Sequence, residues 1–572
     1  MREILDHFTI PIETLQEKHT IDDNLYDDLE LLDCHSKESN SSFYYKLFNP
    51  TSKAGKIVIE KMAKFYTANV NFLKDSQKLY KKCDELENDS KLCQSAWDIW
   101  SKTKEDSNFH EKYQYLDIDQ VKWLNSSAPF LLILTFYSIL SPLLNILAPF
   151  LLLLVPFIIL KIMKVPITAA SYTKILLEQL DKHSFGQLFT RFWEVPPSQR
   201  IYLVLCFGMY IYNIYQNVLS CYQFYRNTDF INVYFKKMCN YVKHTRKQLN
   251  TYISLITPYK TFNSYKNYLK NKVNDIDVLY KTLDQIPKAR FNPLYLNSMG
   301  FVMKQFYLMN TSKPIADLLY FSFGFNGYID NIEGLVSKIK QKTIHPARIV
   351  NKNKNTVKFT DTFYPLIEGT PIIKNTVDIS QNIIITGPNA AGKTTLLKTT
   401  VLNILITQQV GFGFYRKAKI TPFHYIHCYL NIPDTSSRDS LFQAEARRCG
   451  KILQLIEDNP NKRHFCIFDE LYSGTNPFEA IASAYSYLKY LKQKPHVSFM
   501  LTTHFIRLCN LFEGKKQIKN YNMETKIEKN IPTYSYKLVL GISKIKGGIC
   551  VLRNLGYPET ILKETERLIR EQ

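Results

Sequence analysis

The stretch 381–396, QNIIITGPNAAGKTTL, constrains this chain more than any other. Ile383, Ile384 and Ile385 form a short apolar run that predicts a buried strand. A loop bounded by Gly387 and Gly392 follows, and TTLLKTTVLNIL then predicts a helix. Strand, glycine loop and helix in that order belong to a parallel sheet with crossover helices. The spacing G-x-x-x-x-G-K-T (Gly387, Gly392, Lys393, Thr394) is that of a phosphate-binding P-loop. Its glycines let the backbone turn so that N–H groups and a helix N-terminus face an anion. The candidate nucleotide-binding residues are Gly387, Pro388, Asn389, Ala390, Ala391, Gly392, Lys393, Thr394 and Thr395. Lys393 is expected to reach the β- and γ-phosphates of ATP, and the Thr394 hydroxyl to bind Mg²⁺.

Two further strands carry the chemistry such a loop needs. HFCIFDE (464–470) is an apolar run ending in two acids. Asp469 is the candidate Mg²⁺ ligand and Glu470 the candidate base that polarises the attacking water. HVSFMLTTH (496–504) ends in His504, placed to bond the γ-phosphate or that water. From about 346 onward short β-like runs (TVKFT, NTVDIS, NIIIT) alternate with helical patterns. The expected fold class is therefore an α/β P-loop NTPase domain over 346–572, preceded by a mostly α-helical region with transmembrane segments.

That helical region divides by composition. Residues 1–123 are polar and helically patterned, with 53–87 reading as helix, and the start MREILDHFTI has no apolar signal-peptide core. Residues 124–160 contain no charge. The core at 129–160 is long and apolar enough to enter a membrane, either as one kinked span or as a tight pair of short ones. Prolines at 129, 142, 149 and 156 argue against one straight helix. A second uncharged run, 201–225, lies between Arg200 and Arg226 and reads as a span or as a helix of a soluble domain. If both cross, the two chain ends share one side, and the loop 165–200 lies on the other. The ATP-binding end would then face the cytosol or nucleoplasm, which the basic residues after 225 favour. Residues 226–345 return to polar helices resembling a lever.

The net charge of +22 suggests an anionic partner, nucleic acid or an acidic membrane surface, and does not choose between them. Eleven scattered cysteines without metal spacing fit a reducing compartment.

Beyond these local readings, the C-terminal region resembles the MutS family of DNA mismatch-repair ATPases. GPNAAGKTT is close to the family's GPNMGGKST. DTSSRDSLFQAE (434–445) matches the family signature at Asp434, Ser440, Phe442 and Glu445. YPLIEGTPIIKNTVDI (364–379) upstream, and DELYSGTNPFEA (469–480), TTHF (502–505) and the tail 536–569 downstream, resemble further family motifs in order. The resemblance implies Mg²⁺-dependent ATP hydrolysis, DNA binding and a homodimer in which Ser440 of one subunit reaches the nucleotide of the other. It also implies a dimer clasp over 553–572. Several positions depart from the pattern. Arg438 replaces a signature glycine, and Tyr472-Ser473 replace Gly-Arg. Ile372 and Asn522 stand at the expected base-contacting positions. The family's mismatch-reading domain has no counterpart, since Phe192-Trp193-Glu194 is an isolated match to its F-x-E motif. The expected function is a membrane-anchored, MutS-like ATPase acting on mismatched or structured DNA. The alternative is a membrane ATPase that uses the same nucleotide module without DNA. A transporter would need an L-S-G-G-Q signature, and SLFQAE stands in its place.

Overall fold

The computed structural model describes residues 2–571 apart from 33–41, 87, 152–153, 165, 288–292, 352–354, 368–370, 431–439, 529–530, 544, 546–548, 550–551 and 554. Asp434 and Arg438 of the signature loop lie outside the described residues. The chain combines a mostly helical N-terminal region with mixed helix and sheet beyond it, and it divides into two compact units.

The first unit comprises Met1–Lys91, Thr245–Asn274 and Tyr320–Gln572. Its strands are β1 (His19–Thr20), β2 (Phe65–Tyr66), β3 (His345–Ile349), β4 (Val357–Thr362), β5 (Asn375–Asp378), β6 (Asn382–Thr386) and β7 (Phe412–Gly413). They continue with β8 (Lys417–Ile420), β9 (Tyr425–Tyr429), β10 (His464–Asp469), β11 (Val497–Thr502), β12 (Ile518–Glu528) and β13 (Ile531–Leu540). The larger sheet has the order β13-β12-β6-β11-β10-β9, parallel except for the β12–β13 hairpin. Every residue of β6 and β11 is buried, as expected of parallel strands covered on both faces. Ile384, Phe499 and Leu501 of these strands, with Phe468 of β10, pack with Ile456, Leu488 and Phe512 of the covering helices. A second sheet, β5-β4-β8-β3-β7, lies in the same unit.

The N-terminal segment is tied into this unit by buried polar bonds. The P-loop helix, Lys393–Val410, is enclosed at its far end. There Gln409 Nε2 donates to the carbonyls of Met62 (3.3 Å) and Phe65 (3.0 Å), and its Oε1 accepts from Tyr44 (2.8 Å). Gln408 Nε2 donates to Thr67 O (3.2 Å) and Phe423 O (2.7 Å). The helical reading of 53–87 holds only in part. Helices Lys53–Met62 and Val70–Tyr80 flank β2, because the backbone between them bonds to these glutamines and to His19–Thr20 instead of to itself. Buried Asp330 performs a similar tie. It accepts from the amides and hydroxyls of Thr51 and Ser52 and from Asn88 Nδ2, so its charge is fully hydrogen-bonded.

The second unit comprises Leu92–His244 and Asp275–Leu319. An aromatic cluster of Phe109, Tyr113, Tyr115, Tyr234 and Phe306 forms its core. The uncharged segment forms the helix Ala128–Leu151, followed by Val155–Ile162. Pro129 sits in the first turn, where its missing N–H costs nothing. At Pro142 the lost bond to Ser138 O is replaced by one from the Ser141 hydroxyl (3.4 Å). Helix Ala128–Leu151 pairs antiparallel with the first half of the helix Pro197–Ile256. Tyr210 donates to Asn145 O (2.7 Å), and Cys221 lies against Ile139 O (3.9 Å). The uncharged run 201–225 thus lies within one continuous helix.

Candidate functional site

Parallel pairing dictates where the chemistry gathers. β11 lies between β6 and β10, with Thr502 in register with both Ile385 and Asp469. The carboxyl ends of the three strands therefore meet at one edge, where parallel α/β sheets bind ligands.

Gly392 precedes the helix Lys393–Val410 at φ +88°. A side chain there would be strained by that φ and would crowd Tyr536 at 3.1 Å. Glycine also leaves the first-turn N–H groups uncovered and facing the loop. Lys393 Nζ donates to the carbonyls of Gly387 (3.0 Å) and Pro388 (3.2 Å) and lies 3.2 Å from His504 Nε2. Burial lowers the Lys393 pKa, against the pull of Glu470 and Asp469. A buried cation held only by carbonyls and a histidine is matched to an incoming polyanion.

Thr394 Oγ1 donates to Asp469 Oδ2 at 2.7 Å, and the Thr502 hydroxyl donates to Asp469 Oδ1. A hydroxyl and a carboxylate in contact form the hard oxygen set that a Mg²⁺ ion accepts. Glu470 Oε1 is 2.7 Å from His504 Nε2. That bond to His504, with the charges of His504 and Lys393, holds the Glu470 carboxyl below its usual range despite burial. Glu470 also adopts φ +54°, a left-handed conformation costing about 1–3 kcal/mol in a non-glycine residue.

A cavity of about 700 Å³ opens beside the loop. Asn389, Ala390, Ala391, Gly392, Lys393, Thr394, Thr395 and Glu470 line its polar end. Phe363, Tyr364, Ile372, Met523 and Tyr536 line its apolar end. Ile372 is in place as expected. Asn522 is not: its amide donates to Gly541 O (3.2 Å), and it is not among the lining residues. Tyr536 forms that wall instead, because the β12–β13 hairpin carries it over the loop while Asn375 bonds its carbonyl (3.0 Å). Tyr536 opens the tail 536–569, and its position there gives no sign that it would overhang the loop.

Ser440 stands apart. It is exposed, it caps the helix Leu441–Asp458 in a reciprocal box with Gln443, and it does not line the cavity. Five residues on, buried Glu445 accepts from Ser473 N (3.1 Å), the Ser473 hydroxyl (3.0 Å) and Gly474 N (3.2 Å). Glu445 thereby joins the signature helix to the loop after Glu470. Nothing local in the sequence announces this bond, nor that from Thr502 to Asp469.

A buried strand, a glycine loop followed by a lysine, and an acid pair at the end of the next strand but one define a P-loop nucleotide-binding domain. The family profile of MutS domain V matches residues 383–571, the C-terminal third of the chain. The chain is similar to Endonuclease MutS2 of Staphylococcus epidermidis, 27% identical over 259 residues, covering 44% of this chain and 32% of the relative. It is similar to the DNA mismatch repair protein MutS of Parabacteroides distasonis, 32% identical over 220 residues, covering 36% of this chain and 25% of the relative. The corresponding protein of Flavobacterium psychrophilum is 29% identical over 219 residues, with 36% and 25% covered. The matched part thus spans a third or less of these relatives' length.

Proposed function

We propose that this chain is a Mg²⁺-dependent ATPase of MutS type, coupling ATP turnover to closure of a dimeric clamp on DNA, and held at a membrane through 128–225. The observation that carries the ATPase reading is the contact of Thr394 with Asp469 beside the Lys393–His504–Glu470 chain. Lys393 would exchange its loop carbonyls for phosphate oxygens. Glu470, kept ionised by His504, would accept a proton from the attacking water. Thr394 and Asp469 would hold the Mg²⁺, which neutralises phosphate charge. Ser440, exposed at a helix N-terminus, would serve the nucleotide of a second copy, with 553–572 as the clasp.

DNA as the partner is supported by the likeness of 383–571 to MutS domain V and by the charge of +22. The membrane reading rests on the helix Ala128–Leu151. It is about 36 Å long, enough for a hydrocarbon core of about 30 Å. Only 22% of its most apolar window is buried, whereas a soluble core helix is mostly covered. Trp123 and Trp193, 67% and 79% exposed, mark opposite ends of the antiparallel pair, as an aromatic belt would. In this reading the ATPase domain would face the cytosol or nucleoplasm.

The test is DNA binding by detergent-solubilised protein across a salt series, with and without ATP. We expect tighter binding to branched or mismatched duplex than to plain duplex, with a response to nucleotide. Equal, weak and steeply salt-dependent binding would favour the second reading, a membrane ATPase without a DNA role. The exposed apolar helices support that reading independently of DNA.

A further inference from the structure

Asn213 falls midway between Arg200 and Arg226, about 20 Å along the helix from each. It lies beside Asn145 of the paired helix and one turn from Asn217. If the uncharged layer is membrane-embedded, as proposed above, these asparagines sit at its midplane. Asn213 is nevertheless exposed, among exposed Met209, Ile211, Tyr212 and Tyr215. Its Oδ1 accepts from Asn217 Nδ2 (2.5 Å) and Asn145 Nδ2 (3.5 Å). Its own Nδ2 donors, and the Asn145 Oδ1 acceptor, have no partner among the described residues. In water such groups are solvated. In hydrocarbon each is an unmet hydrogen-bonding group costing several kcal/mol.

We infer that this face is where the hairpins of two copies meet within the membrane. The occupant is a second copy because the unmet groups are complementary to each other. A two-fold axis would bring Asn213 Nδ2 of one copy to Asn145 Oδ1 of the next, and the reverse, so one patch satisfies itself. Interhelical amide bonds of this kind join helices where apolar surface drives no association. The lipid-facing side chains around them supply packing alone. This pairing lies in the second unit and uses none of the ATPase-domain residues named above.

The test uses the full chain in membranes, with Cys206 and Cys221 replaced by Ala. Met209→Cys, one turn from Asn213 on the same face and leaving both asparagines in place, should cross-link to dimer on oxidation. Tyr215→Cys, on another face of the helix, should not. Asn145→Leu in the Met209→Cys chain should lower the dimer yield by about tenfold, since it removes the reciprocal acceptor. Resistance to alkaline extraction is read in parallel. A chain released by alkali overturns the membrane reading, and this inference with it. A chain that stays in the membrane but cross-links no better at 209 than at 215, or is indifferent to Asn145→Leu, overturns the pairing alone. Loss of ATP turnover in any variant marks misfolding, and that variant is replaced by Asn213→Leu with dimer fraction read by single-molecule photobleaching.

Discussion

Glu470 and His504 meet at 2.7 Å across the ends of β10 and β11. The contact exists only because parallel pairing brings Asp469 level with Thr502, so that each residue beyond leaves its strand at the same edge. It keeps the carboxylate charged and aimed beside the P-loop lysine. Glu470→Gln should retain ATP binding and lose about 10²–10⁴-fold in turnover, as removal of a general base does. Single-turnover hydrolysis and nucleotide binding measured on the same protein check this. Equal loss of both would assign Glu470 to binding.

Lys393→Ala should abolish nucleotide binding, because it removes the buried cation beside the loop. Calorimetric titration with ATP reads the result, and unchanged affinity would remove the P-loop assignment. Mixing Lys393→Ala with Ser440→Ala subunits tests the trans role. Activity should return in the mixture, since each heterodimer keeps one complete site.

Glu445→Ala should be more damaging than an ordinary surface change. It leaves Ser473 and Gly474 without an acceptor inside a partly buried loop. We expect destabilisation of about 2–3 kcal/mol. Turnover should fall further than ATP affinity, because the loop begins at Glu470. Chemical denaturation and kinetics on Glu445→Gln, which keeps one acceptor, separate the two effects.

Tyr536→Ala should weaken nucleotide binding by about 1 kcal/mol, the scale of one stacking or apolar contact with a ring. Tyr536→Phe should restore it, and Asn522→Ala should leave it unchanged. Fluorescent-nucleotide titration is sufficient. A larger effect at Asn522 would reverse the assignment of the base-side wall.

The domain should lose stability in mild acid. His424 and His427 lie near the edge strand β9, and burial pushes both down to about 3. Arg463 and Lys462 add to the effect on His424, and Glu17 faces it at 3.3 Å. His464, stacked on His427 with its Nδ1 at 3.0 Å from Nε2, is lowered by burial as well. The folded state therefore binds fewer protons than the unfolded one below about pH 6.5. Stability is complete above that pH and falls as pH drops toward 3, by up to about 1.4 kcal/mol per unit for each histidine. Urea midpoints at pH 7.5 and 5 measure the slope, which His427→Gln should flatten.

By itself the sequence determined the P-loop, the acid pair and the parallel-sheet class. Each is a local pattern: an apolar strand, then the residues that leave its end. It also marked the uncharged segments, since hydropathy is a property of contiguous residues. It did not determine which distant residues meet. Nothing near Gln408 and Gln409 in the sequence points to their partners, yet they close over the backbone between Met62 and Thr67. That contact breaks the helix expected over 53–87. Tyr536 replaced Asn522 at the cavity because hairpin geometry, not spacing, selects which residue overhangs the loop. Glu445 found Ser473, and Thr502 found Asp469, through strand order and helix packing. Such bonds are satisfied only when burial removes water as a competing partner, and burial belongs to the folded chain as a whole.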